Sequence, residues 1–179
     1  MSINVKIKKL NPNAIIPSYA KEGDSGVDLY TLENTVIPAK SAVAIPTGVA
    51  LEIPCGYEMQ VRPRSGISLN GLRGWKKLFE GLDIVHGEMA KGEFAWKEDF
   101  FTMVYPTVRL GTIDSGYRGE IKIITYNEED FEIVIPKHTK LAQGVFQQVP
   151  RAILKVVNEL SNSQRGDNGF GSTGTKRDE

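Results

Sequence analysis

Between Gly111 and Glu120 the chain reads GTIDSGYRGE, which gathers a carboxylate, an aromatic ring, a cation and turn-forming glycines within ten residues. An ionised aspartate such as Asp114 can accept a hydrogen bond from water and turn its oxygen toward an electrophile. In isolation the same Asp reads more readily as a turn residue that bonds its own backbone. Corroboration has to come from elsewhere in the chain. Arg62 to Ser68, RPRSGIS, is basic and then small. With Ser65 as the expected N-cap of a short helix, free amides, a hydroxyl and the Arg64 fork would make a local anion site. A helix cap beside a surface Arg explains the same letters. Arg165 to Gly174, RGDNGFGSTG, interleaves four glycines with Arg165, Phe170 and the hydroxyls of Ser172 and Thr173. Taken alone it is a disordered Gly/Ser tail.

The elements that must position these residues are short strands. Ile3, Val5 and Ile7 alternate with polar neighbours, Thr35 to Ile37 stops at Pro38, and Val49, Leu51 and Ile53 break at Pro54-Cys55-Gly56. Tyr57, Met59 and Val61 resume the alternation as a hairpin partner, and Thr112-Ile113, a turn at Asp114-Ser115-Gly116, then Ile121 and Ile123 predict a second hairpin. Further strands are expected at Phe131 to Ile135, Leu141 to Val149 and Ile153 to Val157. Many short strands punctuated by Gly, Pro, Asn and Asp read as an all-β barrel or sandwich. From Asn158 to Gln164 the chain turns polar, as a linker to a mobile arm would.

Composition narrows the function classes. At 179 residues the chain is one domain, or one domain with an insertion. Twenty-two basic against 22 acidic residues exert no net pull toward nucleic acid or membrane. The single cysteine, Cys55, excludes an internal disulfide and a Cys-rich zinc site and fits a reducing compartment. His86 and His138 read as ordinary histidines. No apolar run reaches the length of a membrane span, so a soluble, cytoplasmic protein is expected.

Five stretches, DSGVDLY (Asp24 to Tyr30), RPRSGIS, GTIDSGYRGE, KLAQGV (Lys140 to Val145) and RGDNGFGSTG, occur in that order across nearly the whole chain. Together they closely resemble the five motifs of the trimeric dUTP diphosphatase (dUTPase) family. The resemblance implies an all-β distorted jelly-roll barrel that hydrolyses dUTP to dUMP and pyrophosphate, with Mg²⁺ on the triphosphate. It implies triphosphate contacts for Arg64, Ser65 and Gly66, and places Gln143, otherwise an ordinary strand amide, near the phosphates and the attacking water. Asp114 becomes the catalytic carboxylate. Tyr117 would lie against the deoxyribose, while the backbone around Ile113 pairs with the uracil edge. In the arm, Arg165 would reach the γ-phosphate and Phe170 would cover the uracil, with Gly171 and Ser172 close to the ligand. Asp28, by itself a strand-end carboxylate, takes the position of the magnesium-associated Asp, acting through water. The resemblance also implies a homotrimer with shared active sites.

One region departs from the family pattern. Between Ser65 and Gly111 the chain is roughly thirty residues longer than an ordinary connection, an insertion within approximately 70–108 of a barrel domain covering 1–157, ahead of a linker and arm at 158–179. Leu72, Trp75, Phe79 and Leu82 at spacings of three and four predict an amphipathic helix there. Its aromatics read as a small private core in preference to a surface for a protein partner, though a dUTPase that also binds a regulator through the insertion stays open. The related dCTP deaminases use a glutamate in the strand after the central hairpin. The corresponding position here is Ile124, which cannot shuttle a proton.

Overall fold

The structure, a computed structural model, describes residues 2–77 and 101–168. Among them are twelve strands and one six-residue helix, α1, Ser65–Asn70. The strands form three four-stranded sheets, the jelly-roll arrangement expected. One sheet runs β1 (Lys6–Lys9), β4 (Ala42–Glu52), β10 (Glu120–Tyr126), β8 (Thr107–Val108). A second runs β3 (Thr35–Ile37), β11 (Glu132–Ile135), β6 (Leu72–Lys77), β7 (Phe101–Val104). The third, which carries the chemistry, runs β2 (Val27–Tyr30), β12 (Lys140–Gln148), β5 (Tyr57–Pro63), β9 (Gly111–Asp114).

The core is aliphatic. Alternation along β10 buries Ile121, Ile123 and Thr125 and exposes Lys122 and Ile124, as a period of two requires. Leu29, Ile37, Ile45, Met59, Ile133 and Leu141 complete a continuous apolar centre to which all three sheets contribute. Contact is close enough that a Cβ on Gly144 would come within 2.5 Å of the Met59 sulfur. Irregular backbone is tied down by buried polar side chains. Asn127, fully buried, donates through Nδ2 to the carbonyls of Ile37, Pro38 and Phe131 and accepts from the Glu129 amide. Thr31 joins the β2 end to the β11–β12 turn through Pro136 and Thr139.

Four sequence expectations are corrected. The Asp114 turn is a corner, not a hairpin: β9 pairs with β5 and β10 pairs with β4 and β8, so the two strands lie in different sheets. The Pro54-Cys55-Gly56 turn likewise passes the chain from β4 to β5 in another sheet. Turn residues and alternation look alike in both cases, because they record bending and facing but not which strand is the partner. Leu72 and Trp75 lie not on a helix but on β6, whose main chain pairs with both β11 and β7; Phe79 and Leu82 lie outside the described residues. Ile153 to Val157 forms no strand, since among the described residues no strand lies alongside to share its hydrogen bonds. Thr35 to Ile37, Phe131 to Ile135 and Leu141 to Val149 agree with β3, β11 and β12. No helix of the described residues is long and apolar enough to cross a membrane.

Asn127→Leu keeps the volume roughly but strips one buried and two part-buried carbonyls of their donor. Urea unfolding should register a loss of at least about 2 kcal/mol with an unchanged m-value.

Candidate active site

Asp28 is the most deeply buried carboxylate of the site, 6% exposed on β2. An ionised group there would cost several kcal/mol if left alone, and two cations answer it. Arg64 Nε lies 3.1 Å from Oδ1 and Lys140 Nζ lies 2.9 Å from Oδ2. The second contact is close in distance but off the line of an aligned hydrogen bond, so Oδ2 is charge-paired and keeps accepting capacity. The contact with the Asp28 carboxylate, and then its charge, holds the Lys140 ammonium above its ordinary pKa of 10.5. Arg64 is fixed a second time, donating from Nη1 to the Lys140 carbonyl at 2.9 Å. Its guanidinium carries five N–H donors, so this anchoring leaves others to face outward.

Gln143 stands directly across from Asp28 on one side and Arg62 on the other. It donates through Nε2 to the Pro63 carbonyl at 2.9 Å. A Cβ on Gly26 would meet the Gln143 amide oxygen at 2.7 Å and its Cβ at 3.1 Å, so the glycine of DSGVDLY is what lets this side chain lie across β2. The helix beyond Arg64 starts one residue earlier than expected. Arg64, with extended φ and ψ, is the N-cap, no side chain caps it, and Ser65 is the first helical residue. The Arg64 carbonyl receives the Ile67 and Ser68 amides, and Ser65 and Gly66 are exposed.

Asp114 closes the edge strand β9, opposite Glu58. Its carbonyl accepts the Tyr117 amide at 3.0 Å, but its exposed carboxylate has no partner among the described residues. A turn residue bonding its own backbone is therefore not what stands here. Arg118, given no role by sequence reasoning, braces the turn by donating from Nη1 to the Ser115 carbonyl at 2.6 Å and the Tyr117 carbonyl at 2.9 Å. Ile113 turns its side chain toward the core beside Met59, so only its main chain is available at the sheet edge. Arg165 lies in an exposed local turn, bonded to the Asn168 carbonyl. Phe170, Gly171 and Ser172 lie outside the described residues.

Within one chain these groups do not converge. Asp28, Arg64, Ser65, Lys140 and Gln143 share one end of the sheet, whereas Asp114 and Tyr117 lie at the other. Arg64 follows Glu58 by six positions along β5, roughly 20 Å at a strand's rise of about 3.3 Å per residue. A water-orienting carboxylate must act over about 3 Å, or one water more. Beyond Val149, whose amide bonds the Gly56 carbonyl, no hydrogen bond ties the described part of the C-terminal segment to the barrel.

A sequence model of the dUTPase family matches residues 12–83 and 102–174. The chain belongs to the dUTPase family. The unmatched 84–101 falls inside the stretch read as an insertion. A deoxyuridine 5′-triphosphate nucleotidohydrolase of Clostridioides difficile is 40% identical over 171 residues, spanning 96% of this chain and 98% of that protein. Among solved structures, the dUTPase of Staphylococcus bacteriophage 80alpha with dUPNHPP superposes with a TM-score of 0.74 at 24% identity, covering 97% of this chain and all of that one. A mutant dUTPase from phage phi11 of S. aureus, described with a structural Mg(II) ion, gives 0.66 at 21% identity over 88% of this chain and 98% of its own. Likeness at that identity speaks for the fold.

Lys140 was quoted only as the first letter of a motif; its pairing with Asp28 depends on cross-strand register that sequence spacing does not express. Because its folded pKa is raised, the contribution of Lys140 to stability is complete below pH 10.5 and is lost as pH climbs through the folded value. Urea unfolding in EDTA should find a constant gap between wild type and Lys140→Met below that pH, narrowing above it.

Proposed function

We propose that the protein hydrolyses dUTP to dUMP and pyrophosphate, with Asp114 orienting the water that attacks the α-phosphorus. The observation that carries this reading is the exposed, unpartnered carboxylate of Asp114 on a turn braced by Arg118. The carboxylate accepts a hydrogen bond from water and takes up its proton as the new P–O bond forms and the bond to the β-phosphate oxygen breaks. Arg64, the Ser65 hydroxyl and the Gly66 amide hold the phosphates, and Gln143 borders them. Tyr117 packs on the deoxyribose, the β9 edge at Ile113 reads the uracil, and the arm brings Arg165 to the γ-phosphate, Phe170 over the base, and Gly171 and Ser172 alongside. Unpaired hydrogen bonds reject cytosine more strongly than crowding rejects the thymine methyl. Deamination lacks its proton shuttle, because Ile124 is an exposed isoleucine on β10.

Mg²⁺ is the proposed metal. No three His, Cys, Asp or Glu residues gather among the described residues, which therefore offer no cage of their own. One buried carboxylate with spare accepting capacity fits an ion held mainly by phosphate and water, with Asp28 bonding a coordinated water. When bound, the ion draws charge from the leaving pyrophosphate.

A homotrimer with shared sites is part of the same proposal. Two half-sites about 20 Å apart on one sheet are joined if one chain's Asp114 end meets another's Arg64 end and a third supplies the arm. Ile153, Leu154 and Val156 are 97%, 93% and 98% exposed, and covering each would gain about 1.5–3 kcal/mol. A neighbouring chain is the natural cover.

Asp114→Asn should keep dUTP binding nearly unchanged and lower kcat by a factor of about 100 or more, seen in binding titration beside turnover; near-native kcat would move the base elsewhere. Asp114→Asn chains refolded in equal mixture with chains truncated before Arg165 should regain about a quarter of wild-type activity if the Asp114 corner and the arm come from different chains. Mixed trimers in sedimentation without regained activity would refute the shared site.

A further inference from the structure

Gly119 has no backbone reason to be glycine. It is absent from the positive-φ residues, where a side chain would be strained, yet a Cβ on it would lie 2.5 Å from Cζ and 3.0 Å from Cε2 of Tyr117, and nearer still to Oη. The hydroxyl end of the ring, Oη, Cζ and Cε2, thus fills the space that a side chain at residue 119 would need. The hydroxyl completes the seat by donating to the Glu120 carbonyl at 3.1 Å. That carbonyl is held in turn. The Glu120 carboxylate accepts the amide of Gly48 at 2.8 Å, across the register shift between β10 and β4, and Gly48 itself sits at φ +71 with Ala14 and Leu32 closed around it.

We infer that Gly119 and Glu120 are positioning residues for sugar specificity: they form a rigid seat that fixes the Tyr117 ring and thereby sets how strongly a 2′-hydroxyl is rejected. The inference rests on the proposed place of Tyr117 against the deoxyribose. A wall excludes one extra oxygen only as far as it refuses to move, and a relaxing pocket gives up most of such discrimination. Here the tip of the ring fills the space over Gly119, its hydroxyl is tethered to the Glu120 carbonyl, and the turn that carries it is braced by Arg118. Half of the ring stays open to solvent and ligand, 45% of the residue being exposed.

The test is the ratio of kcat/KM for dUTP to that for UTP, measured on the full chain. Tyr117→Ala should lower the ratio. Gly119→Ala, which pushes the ring off its seat, should lower it by about tenfold or more, and the double variant should be no worse than Tyr117→Ala alone, because the ring that the added methyl group displaces is gone. An unchanged ratio in Tyr117→Ala overturns the sugar role of Tyr117 and the seat with it. A lowered ratio in Tyr117→Ala beside a wild-type ratio in Gly119→Ala overturns the seat alone, as do losses that simply multiply in the double variant. Should Gly119→Ala fail to fold, Glu120 decides. Glu120→Ala should lower the ratio and Glu120→Gln, which keeps an acceptor for the Gly48 amide, should restore it; equal ratios in the two overturn the inference.

Discussion

Strand β5 is held between β12 and β9 in fixed register, and that pairing sets the geometry of everything chemical in this protein. Gln143 faces Arg62 at one end and Asp114 faces Glu58 at the other. An antiparallel ladder cannot stretch or slide by a fraction of a residue, and a slip by one would carry Met59 and Val61 from the core to the surface. The distance between the phosphate-side cluster and the Asp114 corner is therefore built into the core. A chain cannot flex to join its own half-sites without unfolding the sheet that makes each of them. The proposed trimer would complete the site without such flexing, and the exposed Ile153, Leu154 and Val156 support that proposal.

The β10–β4 bulge plays the same part for the corner. Thr47 donates to the Ile121 carbonyl and Glu120 receives the Gly48 amide, so both irregular main-chain groups find side-chain partners where the ladder breaks. Without them the shift in register would leave buried polar groups unpaired, at about 1–3 kcal/mol each. The bulge lets β10 leave the corner toward a different sheet from β9 and still bury Ile121 and Ile123. The geometry of the corner that carries Asp114 and Tyr117, the proposed catalytic and sugar-contacting residues, thus depends on a distortion in a strand some seventy positions earlier.

Much of this was legible in the sequence, and the failures share one cause. Alternation gave β3, β10, β11 and β12 because burial on one face of a strand is a local property with a period of two. Of the motif residues, Arg64 and Gln143 come up against Asp28, while the Asp114 carboxylate is exposed without a partner among the described residues. What escaped was partnership. The Asp114 turn read as a hairpin, Leu72 and Trp75 as a helix face, and Ile153 to Val157 as a strand, since each pattern is compatible with more than one neighbour. A spacing of three also lets two residues share a helix face, but the backbone of β6 is claimed by β11 and β7. Lys140 and Gly119 escaped for the same reason: their importance lies in what touches them, Asp28 in one case and the Tyr117 ring in the other.

The balance of charge explains why the phosphate-side cluster is incomplete by itself. Two cations, Arg64 and Lys140, face one carboxylate, Asp28, so this trio keeps a net single positive charge where a triphosphate is proposed to bind, with Arg62 next to it bonded to the neutral Gln60 amide. In a chain with no net charge overall, no wider field makes up the difference. Asp28 holds Arg64 in place and, in doing so, cancels much of the attraction its guanidinium would exert. Tight binding then requires cations from outside the cluster, and the proposed ones are Mg²⁺ on the phosphates and Arg165 on the arm. On that proposal the site would bind weakly until Arg165 joins it, and recognition of a full triphosphate would be tied to recruitment of the arm. A monophosphate, with little charge to reward that recruitment, would be released rather than held, which is the behaviour an enzyme forming dUMP requires.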